Sequence, residues 1–139
     1  MSGETFKVGA TDLGTNAYIT SWEGILASPT YTGDLIELDF VTGGVWQAGV
    51  AGVWTIDVPL VMKSQDPNTA VSQMVAIQSL ADGTEKDLRR EFTSGTTSIK
   101  EANTGVVTSA TPTWDLRFRN RVGLLLTIQV TGGLWATTT

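Results

Sequence analysis

The chain has 139 residues, a formal net charge of -5, and neither histidine nor cysteine. The missing imidazole and thiol exclude Ser-His-Asp and Cys-His catalysis, the usual zinc sites, disulfides and histidine proton switches. A low share of charged residues (17%), with 22 Thr and 15 Gly, favours one ordered domain rich in β-structure, and an acidic pI argues against a dedicated nucleic-acid binder.

The N-terminal part carries most of the negative charge. Residues 1–62 hold seven acidic residues and a single basic one, Lys7. Residues 3–16 show no hydrophobic period, which predicts an extended arm or an irregular lead-in over about residues 1–16. Neither a secretory signal nor an apolar run of the ~20 residues that a membrane helix needs is visible, so we expect synthesis in the cytoplasm and no membrane partner. A first short strand is predicted over residues 18–26.

Two segments that alternate between apolar and polar residues predict a long hairpin. Residues 34–41 and 54–62 are its strands, each with one apolar face. Residues 43–52 between them contain four Gly and no charge, which indicates a flexible hairpin tip. Like charges on one sheet face are costly unless water screens them, so the opposite face of this hairpin should be wet. That face carries Glu37, Asp39 and Asp57.

One helix is predicted, over residues 67–82. Asp66-Pro67 is a good N-cap and first-turn pair, and Asp82-Gly83 supplies a stop signal. Residues 82–87 also place oxygen ligands at close spacing, but they lack the full twelve-residue calcium loop, and a helix end followed by a turn explains them better.

The sequence after the helix predicts strands that are separated by a long loop. Residues 88–93 indicate a strand, whereas residues 94–113 are poor in large apolar side chains and predict a long loop with a short strand at 106–107 at most. Over residues 114–130 the apolar side chains fall on even positions, which predicts one bent strand or two strands broken near Asn120. The opposite face carries Arg117, Arg119 and Arg121.

Carboxylates, arginines and tryptophans are the candidate functional groups. Glu37 with Asp39 or Asp57 has the composition of a glycosidase pair, but acids on a polar strand face are usually solvated surface. The three arginines have three readings, as phosphate ligands, as partners of carboxylates on a neighbouring subunit, or as an exposed face; we favour pairing between subunits. Trp46 and Trp135 lack an obvious burial site in their own chain, which suggests contact with a partner or a sugar-binding platform. No cofactor or metal is expected.

The order of elements resembles that of the tail tube proteins of long-tailed bacteriophages. An N-terminal arm, a long hairpin with an extended tip, one helix, further strands and a C-terminal arm (about residues 131–139) follow one another, with Ile-Asp-Val-Pro-Leu-Val at 56–61 before the helix and Leu-Arg-Arg at 88–90 after it. The resemblance covers roughly residues 18–131. It implies a mainly β fold, a β-sandwich or split barrel with one flanking helix, shared with contractile-tail tubes, type VI secretion tubes and distal tail proteins.

The resemblance also implies a non-enzymatic virion protein. It implies hexameric rings that stack into a tube through which DNA passes. Glu37, Asp39 and Asp57 would then face the lumen, and Val45, Trp46, Val50 and Trp135 would form ring-to-ring contacts, together with the N-terminal arm. Arg117, Arg119 and Arg121 would form ion pairs between subunits, and if they faced inward they would depart from a uniformly acidic lumen.

The implied partners are other copies of the chain, the tape-measure, tail-terminator and distal tail proteins, and DNA in transit. The implied location is the virion tail, after assembly in the host cytoplasm. Two alternatives stay open. The first is a distal tail or tail-completion protein that forms a single ring. The second, from another class, is a β-sandwich carbohydrate-binding module that uses Trp46 or Trp135.

Overall fold

Ten strands and two helices make up the described part of the chain. The computed structural model describes residues 2–27, 31–37, 44–51, 54–113 and 122–138, and for residues 2, 31–37 and 44–51 it describes the backbone alone. The elements in chain order are β1 (Ser2–Val8), β2 (Thr11–Asp12), β3 (Ala17–Ile19), α1 (Glu23–Leu26), β4 (Tyr31–Glu37), β5 (Gly44–Ala51), β6 (Trp54–Met62), α2 (Pro67–Gln78), β7 (Glu85–Ser94), β8 (Thr97–Pro112), β9 (Gly123–Val130) and β10 (Ala136–Thr137).

An eight-stranded antiparallel sheet dominates the fold. Its strand order is β2-β1-β7-β8-β9-β6-β3, with β10 paired to β8, while β4 and β5 form a separate two-stranded sheet. The large sheet curls into a half-barrel. This architecture confirms the predicted mainly β fold of the sandwich or split-barrel kind with one substantial helix.

The core lies on one face of the large sheet, as the alternation of residues in β6 and β9 predicts. Even-numbered residues of both strands are buried, except for the half-buried Trp54, and most odd-numbered ones are half-buried or exposed. Burying each of these aliphatic side chains contributes about 1.5–3 kcal/mol, so a shift of register by one residue would be strongly unfavourable. The predicted burial of the even positions from 122 to 130 is therefore confirmed. The buried side chains are Ile56, Val58, Leu60, Met62, Val122, Leu124, Leu126, Ile128 and Val130.

Helix α2 begins where the sequence predicts and ends earlier. The Asp66 carboxylate accepts hydrogen bonds from the Thr69 amide (3.2 Å) and the Thr69 hydroxyl (2.7 Å), and Pro67 opens the first turn. Ala70 and Ile77 are buried against the core. The helix ends at Gln78 and not at residue 82, because Asp82 and the following glycine belong to the next turn. None of the helices in the described ranges is long and apolar enough to cross a membrane.

The cap of α2 gives a direct test of this boundary. We expect Asp66→Ala to lower the free energy of unfolding by about 1 kcal/mol, because the Thr69 amide loses its acceptor. Urea unfolding followed by circular dichroism measures the change. Asp66→Asn, which keeps a side-chain acceptor at the cap, should retain most of the stability; equal losses in the two variants would contradict the capping role.

The opening segment does not form the predicted arm or irregular lead-in. Residues 2–8 form β1, which pairs with β7 from Ser2↔Ser94 to Val8↔Leu88. Phe6, Val8 and Leu13 are fully buried, so these residues belong to the core. Their apolar residues are too widely separated by Gly and Thr to show a period, and the partner strand lies about 85 residues away in the chain.

Two further predictions of elements need correction. Residues 18–26 contain the short strand β3 and the helical turn α1, and do not form one strand. The predicted loop over 94–113 is the sixteen-residue strand β8, which pairs with β7 on one side and β9 on the other. The residues of β8 that face the core include Asn103 and Gly105, so the strand carries little apolar signal.

The predicted hairpin between residues 34–41 and 54–62 is wrong. Strand β4 pairs with β5, with Leu35↔Trp46 and Ile36↔Val45 in register. Strand β6 pairs with β3 and β9 instead. The segment over 43–52 was expected to be a flexible tip, yet most of it forms β5. Strand β5 thus forms although its sequence is uncharged and contains glycines, because its partner β4 directly precedes it in the chain.

Candidate functional site

The outer face of β6 and β9, opposite the core, is polar at one end and apolar at the other, where Pro59, Val61 and Leu125 are half-buried. At the polar end Asp57 lies directly opposite Thr127, and its carboxylate accepts a hydrogen bond from the Thr127 hydroxyl at 3.1 Å. Thr55 lies opposite Gln129, and both are exposed. The described part of this end therefore places one carboxylate among hydroxyl and amide groups and is only weakly acidic.

The grouping of Glu37, Asp39 and Asp57 on one face stays a prediction. Glu37 ends β4, whose pairing with β5 removes the basis for placing it beside Asp57. Its side chain and Asp39 lie outside the described residues. The neighbours of Asp57 are instead Thr127 and Thr55. The sequence signal for this neighbour is the odd position of Thr127, because odd-numbered residues of the C-terminal strand must lie on the face opposite the core.

The predicted contact residues of the tip fall on a regular strand. Val45, Trp46 and Val50 belong to β5, and their side chains lie outside the described part of the structure. The same is true of Arg117, Arg119 and Arg121, which fall in residues 114–121. The assignments of these six residues to contacts between rings or between subunits thus stay predictions.

Trp135 has a site within its own chain, contrary to the prediction that it lacks one. Its ring is half-buried, packs against the core, and lies 4.2 Å from the guanidinium carbon of Arg90. Strand β10 follows immediately and pairs with β8 at Ala136↔Ala102. The C-terminal segment is therefore docked on the domain, and the role of Trp135 as a free ring-to-ring contact loses its support.

Arg90 connects three parts of the fold. Its guanidinium donates to the Glu101 carboxylate, with Nε and Nη2 each 3.1 Å from Oε1, and Nη1 donates to the backbone carbonyl of Ile25 in α1. The guanidinium group also lies over the Trp135 ring. Planar, multidentate contacts of this kind are typical of arginine. Arg90 lies on the same parity as Leu88 and Phe92, which was the sequence signal that it faces inward.

The backbone carbonyl of Gly133 holds the turn before Trp135 in its conformation. The Gly133 carbonyl accepts hydrogen bonds from Asn103 Nδ2 (3.0 Å) and from Trp54 Nε1 (3.3 Å). Gly133 itself has a φ of 76°, a conformation that favours glycine. Asn103 is the buried polar residue of the described core, and its amide is satisfied by this contact.

The oxygen-rich segment 82–87 forms a turn around one carboxylate. Asp82 accepts hydrogen bonds from the Thr84 amide (3.0 Å) and hydroxyl (2.6 Å) and forms an ion pair with Lys86 (2.9 Å). The Lys86 ammonium thus occupies the position that a cation would need. Among the residues that the structure describes, no cluster of three or more acidic side chains is placed to hold a metal ion.

These contacts lower the pKa of Asp82 well below its ordinary value, chiefly through the Thr84 hydroxyl and then through Lys86. Because the folded-state pKa is depressed, the contribution of Asp82 to stability is present above the unfolded-state pKa and is lost as pH falls toward the folded-state value. We expect the stability difference between the wild type and Asp82→Asn to be constant near neutral pH and to shrink below about pH 4. Chemical unfolding at several pH values measures it; a difference that grows on acidification would contradict the assignment.

Comparison with known proteins gives one structural relative. No protein-family profile matches the sequence, and none of the curated proteins matches it either. The fold is similar to that of the Dit protein of SPP1, described as a paradigm of the hub adsorption apparatus in phages that infect Gram-positive bacteria, with a TM-score of 0.62 at 12% sequence identity. The match covers 98% of this chain and 53% of the Dit chain, so this chain spans about half the length of that protein. At this identity the likeness concerns the fold.

Proposed function

We propose that this chain is a ring-forming structural subunit of a bacteriophage tail and catalyses no reaction. The observation that carries the proposal is the likeness in fold to a phage tail hub protein over 98% of the chain. In this role the chain is a virion component that contacts other copies of itself and its neighbours along the tail, the tape-measure, tail-terminator and distal tail proteins.

The polar face of β6 and β9 is our candidate for the lumen surface. One face of the large sheet is covered by the core, and the face with Asp57, Thr127 and Gln129 is free to line a channel. Hydroxyl and amide groups with a few carboxylates repel or only weakly bind phosphates, so DNA can pass without being held. Glu37 and Asp39 would add to this charge if their side chains also reach the channel.

The lumen assignment predicts the behaviour of a charge variant. We expect Asp57→Asn to leave ring assembly unchanged and to raise the retention of short duplex DNA by assembled particles about twofold at low salt, because repulsion between the channel and phosphate falls. Co-sedimentation of labelled DNA measures retention. Glu23→Gln removes the same charge from the exposed α1 and should not change retention; equal effects of the two variants would contradict the assignment.

A stacked tube and a single distal ring are two forms of the proposed function. The likeness in fold to the Dit protein supports the distal ring, whereas the tube rests on the sequence resemblance, whose long hairpin and N-terminal arm the structure does not contain. Electron microscopy of the purified chain separates them, because tube subunits polymerise into filaments of stacked rings whereas a distal subunit forms single rings. Particles of neither kind, at any concentration reached, would count against both forms.

A further inference from the structure

A cavity of about 240 Å³ opens between the two edge regions of the large sheet. Strand β1 contributes to one wall, and β3 with Lys63, which follows β6, contributes to the other. Clefts that combine aromatic side chains with a few polar groups are frequent small-ligand sites. The lining residues that matter for its chemistry are Glu4, Phe6, Gly14, Tyr18, Trp22 and Lys63.

Aromatic rings form the apolar part of the cavity. Tyr18 is 55% exposed, which is unusual for a large ring on a short strand, and Trp22 is half-buried beside it. The Trp22 ring makes an edge-to-face contact with Phe92, with 5.6 Å between the ring centroids, so its orientation is fixed by the core. The cavity thus presents preorganised ring surfaces to a ligand.

Two exposed charged side chains of opposite sign, Glu4 and Lys63, complete the lining. Within the described ranges, the Glu4 carboxylate takes part in no hydrogen bond or ion pair. The Lys63 ammonium likewise has no carboxylate partner there, and lies 5.1 Å from the centroid of the Tyr18 ring. A carboxylate only accepts hydrogen bonds and an ammonium only donates them. The cavity therefore offers both functions on a small aromatic platform.

From this arrangement we infer that the cavity binds a single pyranose sugar residue. Sugar hydroxyls both donate and accept, so one ring can satisfy Glu4 and Lys63 together, while the C–H face of the ring packs on the aromatic side chains. An apolar side chain of a partner protein would desolvate both charges without pairing them, which is costly. A phosphate would be attracted by Lys63 but repelled by Glu4, and a small amino acid would lack the apolar face. The inference is independent of the proposed tail function.

Saturation-transfer NMR tests the site, because it observes the ligand and applies to a monomer as well as to a large ring, in which the transfer is more efficient. The probes are glucose, galactose, mannose and N-acetylglucosamine, each at tens of millimolar. We expect at least one of them to receive saturation at its ring C–H protons. Tyr18→Ala should weaken its binding about tenfold and Glu4→Gln about fivefold.

Matched controls keep the result specific. Val75 is 54% exposed, like Tyr18, and lies on α2, which contributes no residue to the lining of this cavity, so Val75→Ala should bind as the wild type does. Glu23→Gln is the corresponding control for the change of charge. Circular dichroism checks that all variants are folded. No saturation for any probe, or equal saturation in the wild type and Tyr18→Ala, would overturn the inference. So would saturation that is lost when the chain assembles, since the cavity would then be a contact between copies.

Discussion

Replacing Arg90 by Ala will lower the free energy of unfolding by about 2–3 kcal/mol and release the C-terminal segment. The substitution leaves the Glu101 carboxylate half-buried without its partner and removes the donor to the Ile25 carbonyl. It also removes the cation that lies on the Trp135 ring. Urea unfolding measures the loss of stability, and hydrogen exchange measures the release, because the Thr138 amide donates to the Lys100 carbonyl at 2.8 Å in the docked segment.

Two control variants make this test specific: one changes the neighbouring residue, and the other keeps the positive charge at position 90. Arg89 is exposed on the opposite face of β7, so Arg89→Ala should change stability by no more than about 0.5 kcal/mol. Arg90→Lys keeps the charge but cannot make all the planar contacts at once, and we expect an intermediate loss. If Arg90→Ala left exchange at Thr138 unchanged, the docking of the C-terminal segment through this side chain would be wrong.

Replacing Gly105 by Val will destabilise the domain by about 3 kcal/mol. A Cβ at this position would lie 2.9 Å from the backbone carbonyl oxygen of Gln129 and 2.9 Å from Leu88 Cδ1. The Gln129 carbonyl belongs to β9 and cannot move without opening the β8–β9 pairing. The close approach of the two strands, and no special backbone angle, therefore requires glycine here. Thermal unfolding measures the effect.

Gly3→Val is the matched control for this prediction. Gly3 also lies in a strand of the large sheet, but no heavy atom comes within 4 Å of an added Cβ there. Because β-branched residues favour strands, we expect this variant to be neutral or slightly stabilising. Similar losses in the two variants would show that strand glycines matter in this protein for a reason other than space.

The sequence predicts those parts of the fold in which apolar residues recur at the spacing of a strand or a helix. Residues 54–62 and 122–130 carry an apolar residue at every even position, because that face of each strand packs in the core, and their outer face is polar in part. Helix α2 was predicted from its cap and its spacing. Strand β8 was missed because Asn103 and Gly105 occupy two of its core-facing positions, where a pattern would need large apolar residues.

Which strands pair with one another was harder to predict from the sequence than where the strands lie in the chain. A periodic segment specifies which of its faces is buried but does not specify its neighbour, so β6 was assigned to the preceding segment when it pairs with β3 and β9. The same limit applied to the candidate site. Asp57 was correctly placed on a polar face, whereas its contact with Thr127 joins residues 70 positions apart. The docking of Trp135 on Arg90 depends on a similar long-range contact.

The assembly state of the purified chain tests the central proposal most directly. Light scattering after size-exclusion chromatography gives the mass of the particle, and electron microscopy of the same fraction gives its form. We expect closed rings of uniform diameter with a central channel, either single or stacked into tubes. A chain that stays monomeric up to the highest concentration reached, with no rings in the micrographs, would contradict the proposed role in a phage tail.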